Sequence, residues 1–371
     1  STRPRGRDYT RPDPRLLHRR WGVSGSILSV MLRALFRQSR DGLNRRLALL
    51  FASRPALARL FYGWISPRFT REQFAVLQGR ARFVRATRVS SDPLLRRCIH
   101  RLEKGLLMRP RAPTFAEDYI GEAVSAFLVA RATPSHDPEE VAWAQDVLTE
   151  YFRVVQPTAT TESAKCRFTD ATPDPTKIPR PRGTLSRSEV SSEAFLQLCR
   201  QRRSVRWFDS RPVPRELIEK AVTAASEAPS ACNRQPYFFR LFEGQENTAA
   251  IAALAMGTRG YREQIPALVV VLGDLSAIAE ERDRHLPYID ASLAAMQFML
   301  ALETLGLSSC PINWPDVEEL EQKMERALEL PPYVRPIMLI AIGYADPSGL
   351  VAYSAKKPVR ILLRTDNDYR S

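Results

Sequence analysis

Apolar positions along the chain follow two spacings, every three to four residues in some stretches and unbroken short runs in others, and the two separate helices from strands. Residues 93–108, 116–131 and 138–154 carry the helical spacing, with Pro110 and Pro113 dividing the first two. Between residues 155 and 190 the pattern lapses. Five prolines among Thr, Ser and Lys predict a linker, or a strap laid over a surface. The domain boundary falls near Val190, giving a mostly helical region 1–154, a linker 155–190 and a second domain 191–371. There, Ser192 can cap a helix reaching about Arg202, with Glu193 favourable in its first turn. Pro214 opens another whose stripe is Leu217, Ile218, Ala221, Val222 and Ala225, and Pro229 ends it. Residues 236–243, 267–272 and 337–342 are apolar runs of strand length, which predicts central strands covered on both faces. Residues 288–306 predict a long helix that is apolar almost all round. Such a helix needs burial on every side, in a large core or against a second subunit. Asp290, Gln297 and Glu303 interrupt it and it falls short of a bilayer's thickness, which argues against a membrane span.

Charge changes the picture only for the first third of the chain. Residues 1–110 hold 25 Lys and Arg against 6 Asp and Glu, a net of +19, while all 371 residues sum to +14. The remainder is therefore mildly acidic, and the basic surplus predicts contact with an anionic partner: a membrane surface, an acidic protein or nucleic acid. Residues 1–25 are rich in Arg and Pro and read as lacking regular structure. Residues 26–60 set Ile27, Met31, Leu32, Leu35 and Phe36 against Arg33, Arg37 and Arg40, the look of a basic amphipathic helix that either lies on anionic lipid or packs on its own domain. No nucleic-acid fold signature or aromatic platform accompanies the arginines, so nucleic acid is the weaker partner. Five cysteines, odd in number and without CxxC pairs, predict a reducing compartment, the cytoplasm, and no zinc site or disulfide framework. His100, Glu103 and Lys104 fall on neighbouring helical faces, but no second histidine is near enough in sequence to complete a metal ligand set.

Candidate chemistry concentrates in residues 201–239, QRRSVRWFDSRPVPRELIEKAVTAASEAPSACNRQPYFF. If RRSVR is extended, Arg202, Ser204 and Arg206 point to one face, where two guanidinium forks and a hydroxyl suit phosphate oxygens. In PSACNRQP, Asn233 and Gln235 each offer a donor and an acceptor, the groups needed to read the edge of a heteroaromatic ring. The order RRSxRxF, PVP, helix and APSxxNxQP resembles that of the nitroreductase family of FMN-dependent flavoproteins, with Tyr237 where Trp is common. Two later segments extend the likeness. CPINWPD resembles the stretch that runs under the flavin, with Asn313 in place of an acidic residue and Trp314 in place of Gly. Lys356 and Lys357 stand where the family has a basic pair, the first commonly Arg.

The resemblance covers roughly residues 191–365. It implies an α+β fold with a mainly antiparallel central sheet wrapped by helices, and an intertwined homodimer with FMN at the interface. Its implied cofactor-binding set is Arg202, Arg203, Ser204, Arg206, Pro229, Ser230, Asn233, Gln235, Pro311, Ile312, Asn313, Trp314, Lys356 and Lys357. Within it, Arg202, Ser204 and Lys356 are expected on the phosphate, Arg206 at the N1/O2 end of the ring, Asn233 on the flavin, Gln235 supporting the turn, and Asn313 and Trp314 at the flavin edge. The implied chemistry is a ping-pong cycle in which NAD(P)H reduces the flavin and a small organic substrate takes the electrons from the same face; no protein nucleophile is expected. Residues 257–264, with Arg259, Tyr261 and Arg262, are the candidate flap on the substrate side. The rival reading is a flavin fold without turnover, kept as a binding or scaffolding module.

Overall fold

The computed structural model describes Leu47 and residues 51–85 and 90–365. Expectations for residues 1–25, and most of those for 26–60, lie outside the described residues. Two compact units are delimited, Ser1–Thr70 and Arg71–Ser371. In the first, helix α1 (Pro55–Leu60), started by its proline, passes into a wide turn at Phe61–Ile65. Phe51, Phe61, Tyr62 and Phe69 form a chain of ring contacts with centroids 4.5 to 5.7 Å apart.

The second unit opens with α2 (Thr70–Arg85), followed by four helices that share a core: α3 (Pro93–Leu106), α4 (Ile120–Ala132), α5 (Pro138–Val154) and α6 (Ala159–Arg167). Asp92 and Asp137 cap α3 and α5 by accepting from the amides of Leu94 and Glu139, and each helix begins on a proline that gives up an amide the first turn could not use. Leu95, Ile99, Leu102, Ile120, Phe127, Leu148 and Tyr151 fill the space between them. Helix α6 corrects the reading of residues 155–190 as irregular throughout. A Thr158 capping box starts it, and Ala164 and Phe168 join the helical core; no apolar stripe announces it because its partners are small.

Helices α7 (Ser192–Gln201) and α8 (Arg215–Ser226) lead to strand β1 (Tyr237–Glu243), helix α9 (Gln245–Ala252) and strand β2 (Ala267–Asp274). Then come α10 (Leu286–Thr304), β3 (Ser308–Asn313), α11 (Glu318–Leu328), β4 (Val334–Gly343) and a short α12 (Val359–Leu362). The sheet order is β1-β2-β4-β3 with every pairing antiparallel, so the expected α+β architecture is present. Strand alternation divides β2 between two cores: Leu268, Val270 and Leu272 face one, with Phe208, Trp314 and Met324, while Ala267, Val269 and Val271 face the other, with Ile218, Ala294 and Phe298. Residues 305–316, where the apolar runs predict no strand, contain β3. Its sequence SSCPIN is weakly apolar because it is the edge strand, and Pro311 is tolerated there for the same reason. Among the described residues no helix is long and apolar enough to cross a membrane.

The segment bearing the arginines is fixed to the sheet end. Ser204 bridges Ser309, Val205 donates to the Ser309 carbonyl at 3.0 Å, Phe208 bridges Ala345, and Asp209 donates to the Tyr344 carbonyl at 2.9 Å. Gly343 permits this approach, since a Cβ there would lie 2.7 Å from the Phe208 ring and 2.9 Å from Pro266. Gly343→Ala is therefore expected to destabilise the fold by about 1–3 kcal/mol through overpacking. Urea unfolding that detects no loss would show that the Phe208 contact is not tight.

Candidate functional site

Val205 points into the core while Arg206 lies exposed, as extended backbone requires, so Ser204 and Arg206 cannot share Val205's face. Arg202 caps the end of α7, and its Nε is buried without a hydrogen-bond partner. Arg203 turns toward the C-terminal segment and donates to the carbonyls of Ala352 and Tyr353. That clamp draws the stretch carrying exposed Lys356 and Lys357 toward the arginine segment. Among the described residues the Arg206 guanidinium bonds the Ser204 carbonyl at 3.4 Å and the Tyr261 hydroxyl, while the Arg206 carbonyl accepts from the Gln264 side chain. Burial, then neighbouring Cys310, pushes the Tyr261 phenol up to about 12, so it stays protonated beside the guanidinium. Among the described residues no carboxylate lies within ion-pair distance of Arg202, Arg203, Arg206, Lys356 or Lys357. Elsewhere Arg71, Arg96, Arg234 and Arg335 are each matched with acids. Three cations within five residues thus form no ion pair, a local excess of positive charge.

Strand β3 runs away from this position. Ser309, whose hydroxyl is buried without a partner, lies beside Ser204. Four residues on, about 13 Å along the strand, Asn313 ends β3 exposed to solvent. Pro311 is half-buried and Ile312 buried. Trp314 turns inward, 7% exposed, and its indole Nε1 donates to Glu321 at 2.6 Å. Glu321 also accepts from Arg335 at 3.0 Å, and Arg335 reaches Asp316 at 3.0 Å. The tryptophan is thus fixed as a wall of the sheet end and belongs to the core.

The PSACNRQP turn is tight and costly. Cys232, Asn233 and Gln235 have φ of 53°, 51° and 47°, left-handed backbone that costs a non-glycine residue about 1 kcal/mol. Asp290, buried on α10, offsets this: its carboxylate accepts from the Ser230 hydroxyl at 2.7 Å and the Ala231 amide at 3.0 Å. Ser230 in turn accepts from the Gln235 amide at 2.8 Å, and the Gln235 side chain donates to the Asn233 side chain at 3.3 Å, so Gln235 does support the turn. Arg234 closes the far side through the Ala231 carbonyl and Asp283, both at 3.0 Å. Pro229 ends exposed before this array. Among the described residues no hydrogen bond joins the turn to the arginine segment. Burial and the nearby Asp290 carboxylate push the Tyr237 phenol up, and its hydroxyl has no partner.

One group that holds the turn went unread in the sequence, and one segment was read differently. Asp290 registered there only as an interruption of an apolar helix, yet an acid so placed signals a buried acceptor. Residues 257–264 are not a free flap. Tyr261 is buried, Thr258 donates to the Ala252 carbonyl at 2.8 Å, and Gln264 accepts from the Phe208 amide at 2.8 Å, leaving Arg259 and Arg262 at the surface. Asp290→Ala strands two donors and is expected to cost about 3 kcal/mol, with Asp290→Asn costing less because its amide oxygen still accepts. A loss below about 1 kcal/mol in chemical denaturation would mean that the turn holds itself.

The family model described as "Nitroreductase family" matches residues 199–262 and 259–344, through the arginine segment, the turn and all four strands. A provisionally named NADH dehydrogenase/NAD(P)H nitroreductase of Methanothermobacter thermautotrophicus is 30% identical over 159 residues, 42% of this chain and 80% of the relative. An FMN reductase [NAD(P)H] of Bacillus subtilis is 29% identical over 172 residues, 42% of this chain and 66% of that one. Among solved structures, a provisionally named nitroreductase from Desulfovibrio desulfuricans in complex with FMN is 24% identical, covering 46% of this chain and 95% of that one with a TM-score of 0.40. Identity of this extent, over most of the archaeal relative and through the segments that build the site, makes this chain a member of the nitroreductase family.

Proposed function

We propose that the protein is an FMN-dependent oxidoreductase that draws reducing equivalents from NAD(P)H and passes them to a small organic acceptor in two successive half-reactions. The observation that carries this reading is the set of cations without acidic partners beside the orphaned Arg202 Nε and Ser309 hydroxyl, a donor set suited to a phosphate monoester. Bound FMN supplies a ring that accepts and returns hydride, so nicotinamide and acceptor use one face in turn. The chain's residues do the holding. Arg202, Ser204 and Lys356 take the phosphate, Lys357 adds charge, and Arg203 keeps the C-terminal segment in place. Arg206, steadied by Tyr261, supplies positive charge where the reduced ring carries negative charge. Asn233 presents its amide from the turn, and the backbone of Pro311, Ile312 and Asn313 lines the strand side. The names of the relatives, an NAD(P)H nitroreductase and an FMN reductase, support the same cofactor pair.

The reading includes a homodimer. Ile289, Leu293 and Met296 form an exposed apolar stripe on α10, and Phe195 and Leu196 are exposed on α7. Leu350, Tyr353, Val359 and Leu362 of the C-terminal segment are exposed as well, at 70–91%. Apolar surface of this extent on three elements is what a second copy would cover. The compartment proposed is the cytoplasm, where NAD(P)H is supplied and the free cysteines remain reduced. The basic residues 1–60 are assigned to an anionic membrane surface or acidic partner.

Purified protein is expected to be yellow and to bleach under NAD(P)H. A protein that takes up FMN and is not bleached would be the binding module instead. Arg202→Ala with Arg206→Ala removes two charge-assisted contacts, worth about 3–5 kcal/mol together, so FMN affinity should fall by about two to three orders of magnitude. Stoichiometric FMN in that double variant would refute the assignment. Leu293→Glu with Met296→Glu should convert the dimer to monomer in analytical ultracentrifugation; a wild-type monomer at micromolar concentration would overturn the dimer.

A further inference from the structure

The helical region 90–168 lies outside the segments matched by the family model, yet one of its side chains reaches the turn that carries Asn233. Arg96, on α3, donates from Nε to the Asn233 carbonyl at 2.7 Å, across 137 residues of sequence. Its other end is held as firmly. Arg96 Nη1 meets Glu140 Oε2 at 2.9 Å, and the guanidinium lies 5.5 Å from the centroid of the Trp143 ring. Glu140 is fixed in turn by the Ser91 hydroxyl at 2.6 Å, the Asp92 amide at 2.9 Å and His136 Nε2 at 3.1 Å, with 1% of its side chain exposed. The guanidinium therefore has one available orientation, and that orientation aims Nε at a carbonyl whose residue is left-handed.

We propose that Arg96 is a positioning residue for the cofactor turn, and that the helical region is thereby a working part of the flavin site. The turn is tied from three places outside it, with the Asp283 carboxylate holding Arg234 on its far side. Asp290 holds its entry, at Ser230 and Ala231, from within the family domain; Arg96 holds its middle, at Asn233, from the helical region. Without Arg96 the Asn233 carbonyl loses its side-chain donor. That peptide is then held on its amide side by the Arg234 N–H on the Ala231 carbonyl at 3.3 Å, so the Asn233 carbonyl and side chain gain freedom. The Arg96 contact sets one wall of a groove of about 650 Å³ lined by Trp143, Thr176, Lys177 and Asn233, so the groove opens directly beside the residue being positioned.

The proposal rests on the flavin reading for its consequence and on the geometry alone for its mechanism, so the test has two readouts. Arg96→Lys keeps a positive charge for Glu140 but has one ammonium head in place of a planar fork, and cannot serve both acceptors in the native geometry. Arg96→Met removes both bonds. Arg101→Met is the control: it lies on the same helix, over the Tyr119 ring, away from the turn. In the full chain without flavin, both Arg96 variants should speed amide exchange at residues 231–235 at least tenfold, with strand exchange unchanged and Arg101→Met like wild type. In FMN titrations followed by flavin fluorescence, both should weaken binding tenfold or more and alter the visible band shape. Wild-type exchange at the turn in a folded Arg96→Lys protein would overturn the proposal, and so would wild-type FMN affinity and spectrum. If wild-type protein takes up no FMN, the flavin reading fails on its own and the exchange result still decides whether Arg96 fixes the turn. Should Arg96→Met fail to fold, Arg96→Lys carries both readouts.

Discussion

A strand pair buried on both faces cannot exist without two layers to bury it, and β2 paired with β4 imposes that requirement on this chain. Every residue of β2 up to Gly273 is buried, so each face needs its own cover. α8 and α10 supply one layer, while α9, α11 and the segment around Phe208 supply the other. The site follows from this sandwich. The arginine segment is a covering piece forced to lie against the ends of β3 and β4, and the left-handed turn is the link by which the chain leaves one cover, α8, and enters the sheet as β1.

Electrostatics then separates the interior from the arginine segment. In the interior, charges are matched: Arg335 with Glu321 and Asp316, Arg96 with Glu140, Arg234 with Asp283. Removing either member of such a set leaves its partner desolvated and alone, which is strongly destabilising. At the arginine segment, among the described residues, Arg202, Arg203 and Arg206 form no ion pair, and the buried acid within electrostatic reach of Arg202 is Glu303.

How much of this was legible in the sequence depended on whether the signal was local. The helix at Pro138–Val154 was readable to the residue because a capping Asp, a proline and a full apolar stripe all lie within it. β2 and β4 were readable as apolar runs. Edge strand β3 was not, since a strand paired on one side and carrying a proline has little of that signature. α6 was missed because its start depends on Thr158 and its packing on small residues. Arg202, Ser204, Arg206 and Asn233 could be picked out from an ordered set of residue types within forty positions. Arg96 could not, because nothing near it in sequence distinguishes a guanidinium aimed at a carbonyl 137 residues away from any other basic residue on a helix. Tyr261 was placed on a flap because Gly and Arg surround it; the segment is held down by Thr258 on nearby Ala252 and by Gln264 on Phe208, 56 residues away, and the second tie has no local signal.

Trp314 has a consequence for how the end of β3 can move. Where a glycine would leave the end of β3 free to flex, an indole tied to Glu321 and backed by Arg335 and Asp316 freezes it, with the rotamer already chosen before anything binds. An end of strand held this way has little backbone entropy left to lose, so any rearrangement of the segment must begin on its exposed side, at Asn313, and not at the indole.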